Sequence, residues 1–326
     1  MRQTSNRRAR REGSTTKPSE DRVSLYDEVT GRIIAELEEG RFPWVQPWRS
    51  SGAAALGLPH NALTRRSYSG VNILILWSAV IDQGWPTQGW LTFRQALTAG
   101  GHVRKGERGT SIVYADRFTP EAEKDRARET GEDARAIPFL KRFTVFNVAQ
   151  CDGLPPDLVG DPAALLEPRR DVDILPLAEA VIAASGVAVR IGGDEAFYVP
   201  ARDYVQLPPQ PAFFEPVDYY RTALHELTHA TGHEARLARK ILNPFGTKDY
   251  AREELVAELG SAFLCAALGI EPSVRHADYL ASWLQVLRED NRAIFRAASA
   301  ASKAADWLLA RHAETDGIDE RREVAA

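Results

Sequence analysis

The chain has 326 residues, 44% of them hydrophobic and 26% charged, so it can bury one large core or two ordinary ones, and typical domain sizes favour two. Its formal net charge of −4 excludes a strong overall positive field of the kind that holds some proteins on nucleic acid. The two cysteines, Cys151 and Cys265, lie far apart, which excludes a disulfide framework and a cysteine-ligated zinc site and fits a reducing cytoplasm.

The first 22 residues have a composition of their own. They carry seven Lys or Arg against three acids and show no apolar periodicity, which predicts a disordered basic tail able to contact phosphates, or a solvated tail without a partner. No apolar signal segment follows these arginines, and the most apolar run, residues 73–81, is about half the length of a bilayer span. We therefore expect a soluble cytoplasmic protein with no membrane partner.

Residues 23–151 are predicted to form an N-terminal domain. Apolar residues recur at helical spacing from Leu25 to Leu37, with Ser24 placed to cap this helix and Gly40 to end it. Alternation at residues 111–114 and 143–148 predicts two strands. Between them, residues 120–136 are packed with mixed charges, which indicates a surface insertion or an exposed helix.

Tryptophans and arginines are interleaved in the first part of this domain. Five of the seven tryptophans lie between residues 42 and 93, among several arginines. Bases stack on aromatic rings while guanidinium groups neutralise phosphates, so this pattern is compatible with a platform for single-stranded nucleic acid. The alternative is that the aromatic residues form core.

The second half is predicted to be a separate domain, residues 171–310. Residues 152–170 are rich in Pro, Gly and Asp, which indicates a linker. A helix at 177–185 is followed by short strands near 187–191, 197–199 and 204–207, and then by helices to about residue 309. Residues 311–326 are predicted to be a charged tail.

A metal-binding motif lies in this second domain. Residues 225–229 read His-Glu-Leu-Thr-His, and a random chain of this composition would contain the general pattern His-[Glu/Asp]-x-x-His about 0.02 times. Histidines at i and i+4 share one helical face, so His225 and His229 can reach the same Zn²⁺ ion. Glu226 would then stand beside the water that the metal activates and act as the catalytic base.

A third protein ligand is expected from residues 250–259, which read as a helix with an apolar inner face. Glu254 and Glu258 share one face of that helix, whereas Glu253 is turned away by about one hundred degrees. We predict Glu254 as the ligand and Glu258 as the residue that orients a ligand histidine, with the reverse assignment open. The alternative is that these glutamates are solvated surface charges.

Other candidates around the metal are less well placed in the sequence. His233 follows His229 by four residues, but Gly232 is expected to break the helix between them. Metzincins place a third histidine at the position of Ala235, so the site is not metzincin-like. Residues 197–207 are the candidate edge strand for an extended substrate. Three tyrosines upstream of the motif are candidates to stabilise an oxyanion: Tyr204, Tyr219 and Tyr220.

Motifs in both halves resemble those of the ArdC-type antirestriction proteins of conjugative plasmids. The N-terminal motifs are Tyr68-Ser69-Gly70-Val71-Asn72, Trp90-Leu91-Thr92-Phe93-Arg94-Gln95-Ala96 and Val103-Arg104-Lys105-Gly106-Glu107. The C-terminal ones are His225-Glu226-Leu227-Thr228-His229 and Glu253-Glu254-Leu255-Val256-Ala257-Glu258-Leu259. The resemblance spans roughly residues 24–309.

This resemblance implies an α+β protein in which a mixed α/β domain that binds single-stranded DNA precedes a zincin-like metallopeptidase domain. Such a protein would shield the DNA of an incoming mobile element from host restriction. The expected DNA contacts are aromatic or basic residues of the N-terminal domain: Trp44, Trp48, Arg65, Arg66, Tyr68, Arg94, Arg104, Lys105 and Arg108.

Two alternatives to this leading hypothesis stay open at the level of the sequence. The chain could be a cytoplasmic zinc metalloprotease that cleaves a regulatory or restriction protein. It could also be a DNA-binding protein whose metal site is structural and not catalytic. Zinc itself is inferred from the ligand types, and other divalent ions bind such sites when abundant.

Overall fold

The computed structural model describes residues 24–45, 57–159, 174–273 and 279–323. The N-terminal half contains α1 (Leu25–Glu38), β1 (His60–Asn61), α2 (Val71–Gln83), β2 (Gly89–Leu91), α3 (Phe93–Thr98), β3 (His102–Val103), β4 (Thr110–Phe118), α4 (Glu121–Thr130), β5 (Ile137–Asn147), β6 (Cys151–Asp152) and α5 (Pro156–Val159). The C-terminal half contains α6 (Pro176–Ala184), β7 (Ala188–Ile191), β8 (Phe197–Val199), β9 (Tyr204–Leu207), α7 (Pro216–Ala230), α8 (Lys248–Ala267), α9 (Leu280–Glu289) and α10 (Ala293–Glu323). The predicted α+β class is confirmed.

The N-terminal half is built on a small mixed sheet with the strand order β1-β2-β5-β4. Strands β4 and β5 form a long antiparallel hairpin whose register runs from Thr110 opposite Val145 to Phe118 opposite Ile137. Helix α4 joins these two strands and buries none of its residues. The charged segment 120–136 therefore contains an exposed helix, stabilised by pairs such as Arg126 with Glu123 at 2.7 Å.

The first helix begins and ends where the sequence indicates. The Ser24 side chain accepts a hydrogen bond from the Asp27 backbone N–H at 3.1 Å, which caps α1. Past the end of the helix, Gly40 adopts a φ of 72°, a conformation that glycine reaches without a steric penalty. The inner face of α1 buries Ile33 and Leu37, which places this helix in the main core.

The C-terminal half is mostly helical. Its three-stranded sheet has the order β7-β9-β8, with β8 at an edge and antiparallel to β9. Helices α7 and α8 pack closely where Gly260 faces Thr228. A Cβ atom added at Gly260 would lie 2.4 Å from Thr228 Cγ2, so only glycine fits this crossing without a shift. The glycine thereby sets the distance between the two helices that carry the predicted metal ligands.

One hydrophobic core runs through both halves. Trp44 is 1% exposed and packs edge-to-face on Trp283 of α9, with 5.9 Å between ring centroids. Trp77 of α2 packs in the same way on Phe263 of α8 at 5.7 Å. These contacts join residues that lie about two hundred positions apart in the sequence.

Hydrogen bonds reinforce this junction between the halves. Thr30 Oγ1 donates to the Asn291 carbonyl at 2.6 Å, and the Gly70 N–H donates to Ser302 Oγ at 2.8 Å. The predicted domain limits at 23–151 and 171–310 stay a prediction. In the described residues the main core cluster includes both halves, and two smaller clusters belong to the N-terminal half alone.

The predicted tails and linker differ in their outcomes. Helix α10 continues to Glu323, so most of the segment expected to be a charged tail, residues 311–326, is helical. Arg and Glu are good helix formers, and the preceding Ala-rich turns provide a helix that they can extend. Helix α5 lies inside the predicted linker 152–170. The basic tail, Trp48 and residues 160–170 lie outside the described residues. No helix within the described ranges is long and apolar enough to cross a bilayer.

Candidate metal centre

Helix α7 carries the histidine motif into the interior of the C-terminal half. Pro216 occupies its first turn, where a missing N–H costs nothing. One face, including Tyr220 and Leu224, is fully buried against the core. The motif lies on a helix, as the sequence predicts, and His225 and Glu226 are only 2% and 7% exposed.

Helix α8 presents Glu254 to both histidines. The Nε2 atom of His225 lies 3.6 Å from Glu254 Oε2, and the Nε2 atom of His229 lies 3.5 Å from Glu254 Oε1. One ligand atom from each of the three residues lies within 4.8 Å of the others. Two ligands about 2.1 Å from a tetrahedral zinc ion are about 3.4 Å apart, so this donor set fits a metal of that size.

Both histidines contact a second glutamate through Nδ1. Glu258 Oε2 lies 3.6 Å from Nδ1 of His225, the position of the orienting residue that the sequence predicts. Glu253 Oε1 lies 3.3 Å from Nδ1 of His229. The expectation that Glu253 points away is therefore wrong.

The physical reason is that the His229 ring lies against α8 with both nitrogens within reach of it, so that Glu253 faces Nδ1 while the next residue, Glu254, faces Nε2 at 3.5 Å. Arg239 holds Glu253 in this position, with Nη2 donating to Oε1 at 2.8 Å and Nε donating to Oε2 at 3.2 Å. Helical phase alone did not indicate this contact. The length of a glutamate side chain and the nearby arginine were the available signals.

The charges of this cluster shift its pKa values. Burial opposes protonation of the imidazoles, but the nearby carboxylates of Glu254 and Glu258 outweigh it and raise the pKa of His225 to about 9. Burial is likewise outweighed by Glu253 and Glu254, which raise the pKa of His229 to about 10. Burial favours the neutral form of Glu254, yet both histidines hold its pKa well below the usual range.

The cluster faces a cleft of about 1040 Å³. Strand β8 borders this cleft through Phe197 and Tyr198, so the edge strand lies where an extended substrate needs one. The opposite border includes Leu242 and Phe245, which are 75% and 78% exposed. Glu226 also lines the cleft.

The three predicted oxyanion tyrosines lie elsewhere. Tyr220 donates to Glu179 in the core at 2.8 Å, Tyr219 packs edge-to-face on Phe213, and Tyr204 lies under the guanidinium of Arg190. None of these three lines the cleft.

Tyr250 and Tyr279 occupy the place that the upstream tyrosines were expected to fill. Both line the cleft, with 3.4 Å between their hydroxyl oxygens. Burial, the contact with Tyr279 and the charge of Glu254 all raise the pKa of Tyr250, so its hydroxyl stays a proton donor. Tyr250 belongs to the same helix as Glu254, at the i−4 position that shares its face, which was the available sequence signal.

Two of the three aromatic candidates for DNA contact are buried or half-buried, so their rings are not exposed for bases to stack on. Trp44 belongs to the core, so its prediction as a DNA contact is wrong: its indole is covered by Trp283. Tyr68 is half-buried against the cluster around Trp90. Trp48 lies outside the described residues.

The basic candidates lie at the surface to different degrees. Arg65 donates to the Asp157 carbonyl, and Arg104 pairs with Glu107 at 2.7 Å. The remaining candidates are exposed: Arg66, Arg94, Lys105 and Arg108.

Known proteins match this chain along nearly its whole length. Residues 23–146 match the family described as the N-terminal domain of anti-restriction factor ArdC, and residues 176–300 match a zincin-like metallopeptidase family. An uncharacterised protein of Sinorhizobium fredii is 39% identical over 92% of this chain and 96% of its own length. The Escherichia coli DNA primase TraC is also 39% identical, but the matched region spans only 28% of that protein.

Two crystal structures of the antirestriction ArdC protein from the R388 plasmid are similar to this fold. The metal-free form superposes with a TM-score of 0.74, and the Mn(II)-bound form with 0.72. Both are 38% identical to this chain, and the alignment covers 89% of this chain and 98% of theirs.

Proposed function

Since this chain belongs to the ArdC-type family of antirestriction proteins, we propose that it binds single-stranded DNA of an incoming mobile element, protects that DNA from restriction, and contains a zinc peptidase centre. The observation that carries the catalytic part is the convergence of His225, His229 and Glu254 at a cleft bordered by an edge strand. The DNA part is supported by the match of residues 23–146 to the ArdC N-terminal domain.

His225, His229 and Glu254 would hold the metal ion. Two imidazoles and a carboxylate are the donor set of many catalytic zinc sites, while the Mn(II) form of the R388 relative indicates that other divalent ions can enter sites of this family. When bound, the ion polarises a substrate carbonyl and lowers the pKa of a water molecule. Glu258 and Glu253 fix the two imidazole rings from their Nδ1 sides.

The remaining residues of the cleft bind and orient a peptide. Glu226 lines the cleft beside His225 and serves as the base that takes a proton from the attacking water. Strand β8 offers its free edge to an extended backbone. The hydroxyl of Tyr250, kept protonated by its surroundings, is a donor for a developing oxyanion on the same helix as Glu254.

A test of this centre compares Glu226→Gln with wild-type full-length protein, using metal analysis and a library of quenched fluorescent peptides. We expect Glu226→Gln to retain the metal and lose hydrolysis by roughly a hundredfold or more, as for removal of a general base. Glu234→Gln, an exposed acid just past α7, is the matched control and should change neither property. If the wild-type protein binds metal but cleaves nothing, and metal removal only lowers the melting temperature, the site is structural.

A second candidate function is cleavage of a specific cytoplasmic protein, such as a restriction subunit. The exposed apolar side chains of Leu242 and Phe245 beside the cleft favour it, because they offer a place for an apolar substrate residue near the metal ligands. Incubation of the protein with a purified restriction complex, followed by mass spectrometry, would detect a discrete cut. The Glu226→Gln variant should not produce that cut.

A further inference from the structure

A second large groove lies between the two halves of the molecule. It has a volume of about 1220 Å³ and is bordered by the hairpin β4–β5 on one side and the first three turns of α10 on the other. We call it the basic groove, because five cations line it and no carboxylate does: Arg236, Arg239, Arg292, Arg296 and Lys303. Neither half forms this groove alone.

Cations form a regular stripe that begins at Arg292, immediately before α10, and continues along its first three turns. Arg292, Arg296, Ser299 and Lys303 follow one another at intervals of four, three and four residues, so they share one helical face, and all four are exposed. At 1.5 Å per residue, this stripe is about 16 Å long. Its charges and hydroxyl are therefore spaced along a line, as contacts to the backbone of a polyanion would be.

Two of these cations make no ion pair with a described residue, Arg292 and Lys303. Arg296 pairs with Asp290, Arg236 with Asp203, and Arg239 with Glu253 at 2.8 Å. Phosphates could therefore approach Arg292 and Lys303 without displacing a carboxylate. The groove therefore contains two cations without a carboxylate partner among the described residues and three arginines that are held in place by one.

Aromatic rings accompany the cations. On the hairpin, Tyr114 and Phe143 are 56% and 44% exposed and pack edge-to-face, with 6.1 Å between their ring centroids. On the other side, the ring centroids of Tyr26 and Phe295 are 4.7 Å apart. The Cζ atom of Arg292 lies over the Tyr26 ring, 4.7 Å from its centroid. Tyr114 is the exposed ring in the groove lining, whereas Tyr26 and Phe295 are half-buried. An exposed ring near cations is typical of surfaces on which unpaired bases stack while the phosphates are neutralised.

We propose that the basic groove binds single-stranded nucleic acid, with the phosphates along α10 and the bases against Tyr114 and the neighbouring rings. This inference rests on the proposed DNA-binding function but moves its site from the N-terminal surface alone to a junction of both halves. A duplex keeps its bases stacked and would not present them to these rings, so single strands are preferred.

The experiment measures the binding of fluorescently labelled oligothymidine to the full-length protein by anisotropy at several salt concentrations. Arg292→Ala and Lys303→Ala should each weaken binding about three- to tenfold and reduce the slope of log affinity against log salt by about 0.7. Tyr114→Ala should weaken binding about tenfold while leaving the salt slope unchanged, because it removes stacking and no charge. Lys303→Arg should retain wild-type binding.

Arg128→Ala on α4 is the matched control, because Arg128 is exposed, as Arg292 and Lys303 are, but lies on the charged insertion. Thermal melting and metal content should be the same for all variants, since each altered side chain is exposed. If wild-type protein binds no oligothymidine, the proposed DNA-binding function itself fails. If it binds but Arg292→Ala and Lys303→Ala behave like Arg128→Ala, or if a duplex of the same length binds equally well, the inference about the groove is overturned while DNA binding stands.

Discussion

Three glutamates of α8 contact the two histidines of α7, and the atoms they contact separate their roles. Glu254 faces both Nε2 atoms, whereas Glu258 and Glu253 each face one Nδ1 atom. We expect Glu258→Gln and Glu253→Gln to weaken zinc binding roughly 10- to 100-fold, the usual effect of losing an orienting partner. Glu254→Ala removes a ligand and should weaken binding further than either.

Isothermal titration with zinc measures these three affinities. Glu271→Gln, past the end of α8, is a control outside the cluster and should bind zinc as the wild-type protein does. Equal effects of Glu254→Ala and Glu258→Gln would contradict the division of roles between them.

Metal binding at this site should release protons. The pKa values of about 9 for His225 and about 10 for His229 mean that both imidazoles hold a proton at neutral pH in the metal-free protein. A metal ion must displace these protons, so its apparent affinity should rise with pH and level off above pH 9 to 10. For each proton released, the apparent metal affinity rises by up to about tenfold per pH unit.

Titrations in two buffers of different ionisation enthalpy count the protons released. The same raised pKa values stabilise the metal-free fold below the unfolded histidine pKa, and this contribution is lost as pH rises through 9 to 10. Glu258→Gln removes one contact that raises the pKa of His225, so its proton release at pH 8 should be smaller. An affinity that is independent of pH between 6 and 9 would contradict the prediction.

At the scale of residues, the sequence was sufficient to place side chains whose position follows from helical phase. The i, i+4 spacing of His225 and His229 places them side by side, and Glu254 lies at a cluster with both, as expected. Glu253 and Tyr250 were missed because their contacts depend on how α8 crosses α7. That crossing depends on long-range packing and leaves no periodic signal within one segment.

At the scale of elements, the close approach of α7 and α8 depends on Gly260. A Cβ atom there would lie 2.4 Å from Thr228, within the histidine motif itself. We expect Gly260→Ala to destabilise the protein by about 1–3 kcal/mol, as overpacking of a core does, and to weaken metal binding by moving the helices apart. Thermal melting and zinc titration measure both effects.

Gly31→Ala is the matched control for this substitution. Gly31 lies inside α1 and has no atom within 4 Å of an added Cβ. Alanine there should stabilise the helix by about 0.5–1 kcal/mol and leave metal affinity unchanged. If both substitutions change the melting temperature in the same direction, the contact with Thr228 is not what constrains Gly260.

The sequence predicted the helices that have a strong apolar periodicity, but it did not predict the full lengths of the hairpin and of the last helix. Helices α1, α7 and α8 were anticipated from their apolar faces and caps. The hairpin β4–β5 is longer than the predicted strands, because its outer parts are held by pairing across the hairpin and not by burial of an alternating face. Helix α10 extends through charges that were interpreted as a tail.

At the scale of the whole molecule, the two halves should unfold together. Trp77 belongs to the N-terminal half but packs on Phe263 of α8, and its Nε1 donates to the Gly57 carbonyl at 3.0 Å. We expect Trp77→Ala to destabilise the protein by roughly 3–5 kcal/mol and to lower the melting temperature of the metal-binding half as well. Calorimetry of the zinc-loaded and zinc-free protein measures this.

The control for this prediction is a large exposed ring outside the core. Phe118→Ala on the hairpin should leave the transition nearly unchanged, because Phe118 is 59% exposed. Two separate transitions, of which Trp77→Ala moves only one, would show that the halves fold independently.

Composition alone favoured two domains, and nothing local in the sequence indicated their common core. The contacts between Trp44 and Trp283 and between Trp77 and Phe263 join distant segments, and such pairings leave no trace in the periodicity of either segment. The same limitation applies to the basic groove, whose cations and rings come from segments that are remote in sequence. Trp44 and Trp77, which belong to the stretch predicted as a DNA-binding platform, are instead part of the core that joins the halves.

The basic groove and the metal cleft are connected through Arg239. Arg239 lines the basic groove and also binds Glu253, which in turn contacts His229 in the metal cleft. A ligand that draws Arg239 away from Glu253 would therefore change the free energy of metal binding, and such a coupling is reciprocal. The factor by which a nucleic acid changes metal affinity must equal the factor by which the metal changes nucleic-acid affinity. A cell's divalent-metal supply and the presence of unpaired DNA would then act on this protein as mutual effectors.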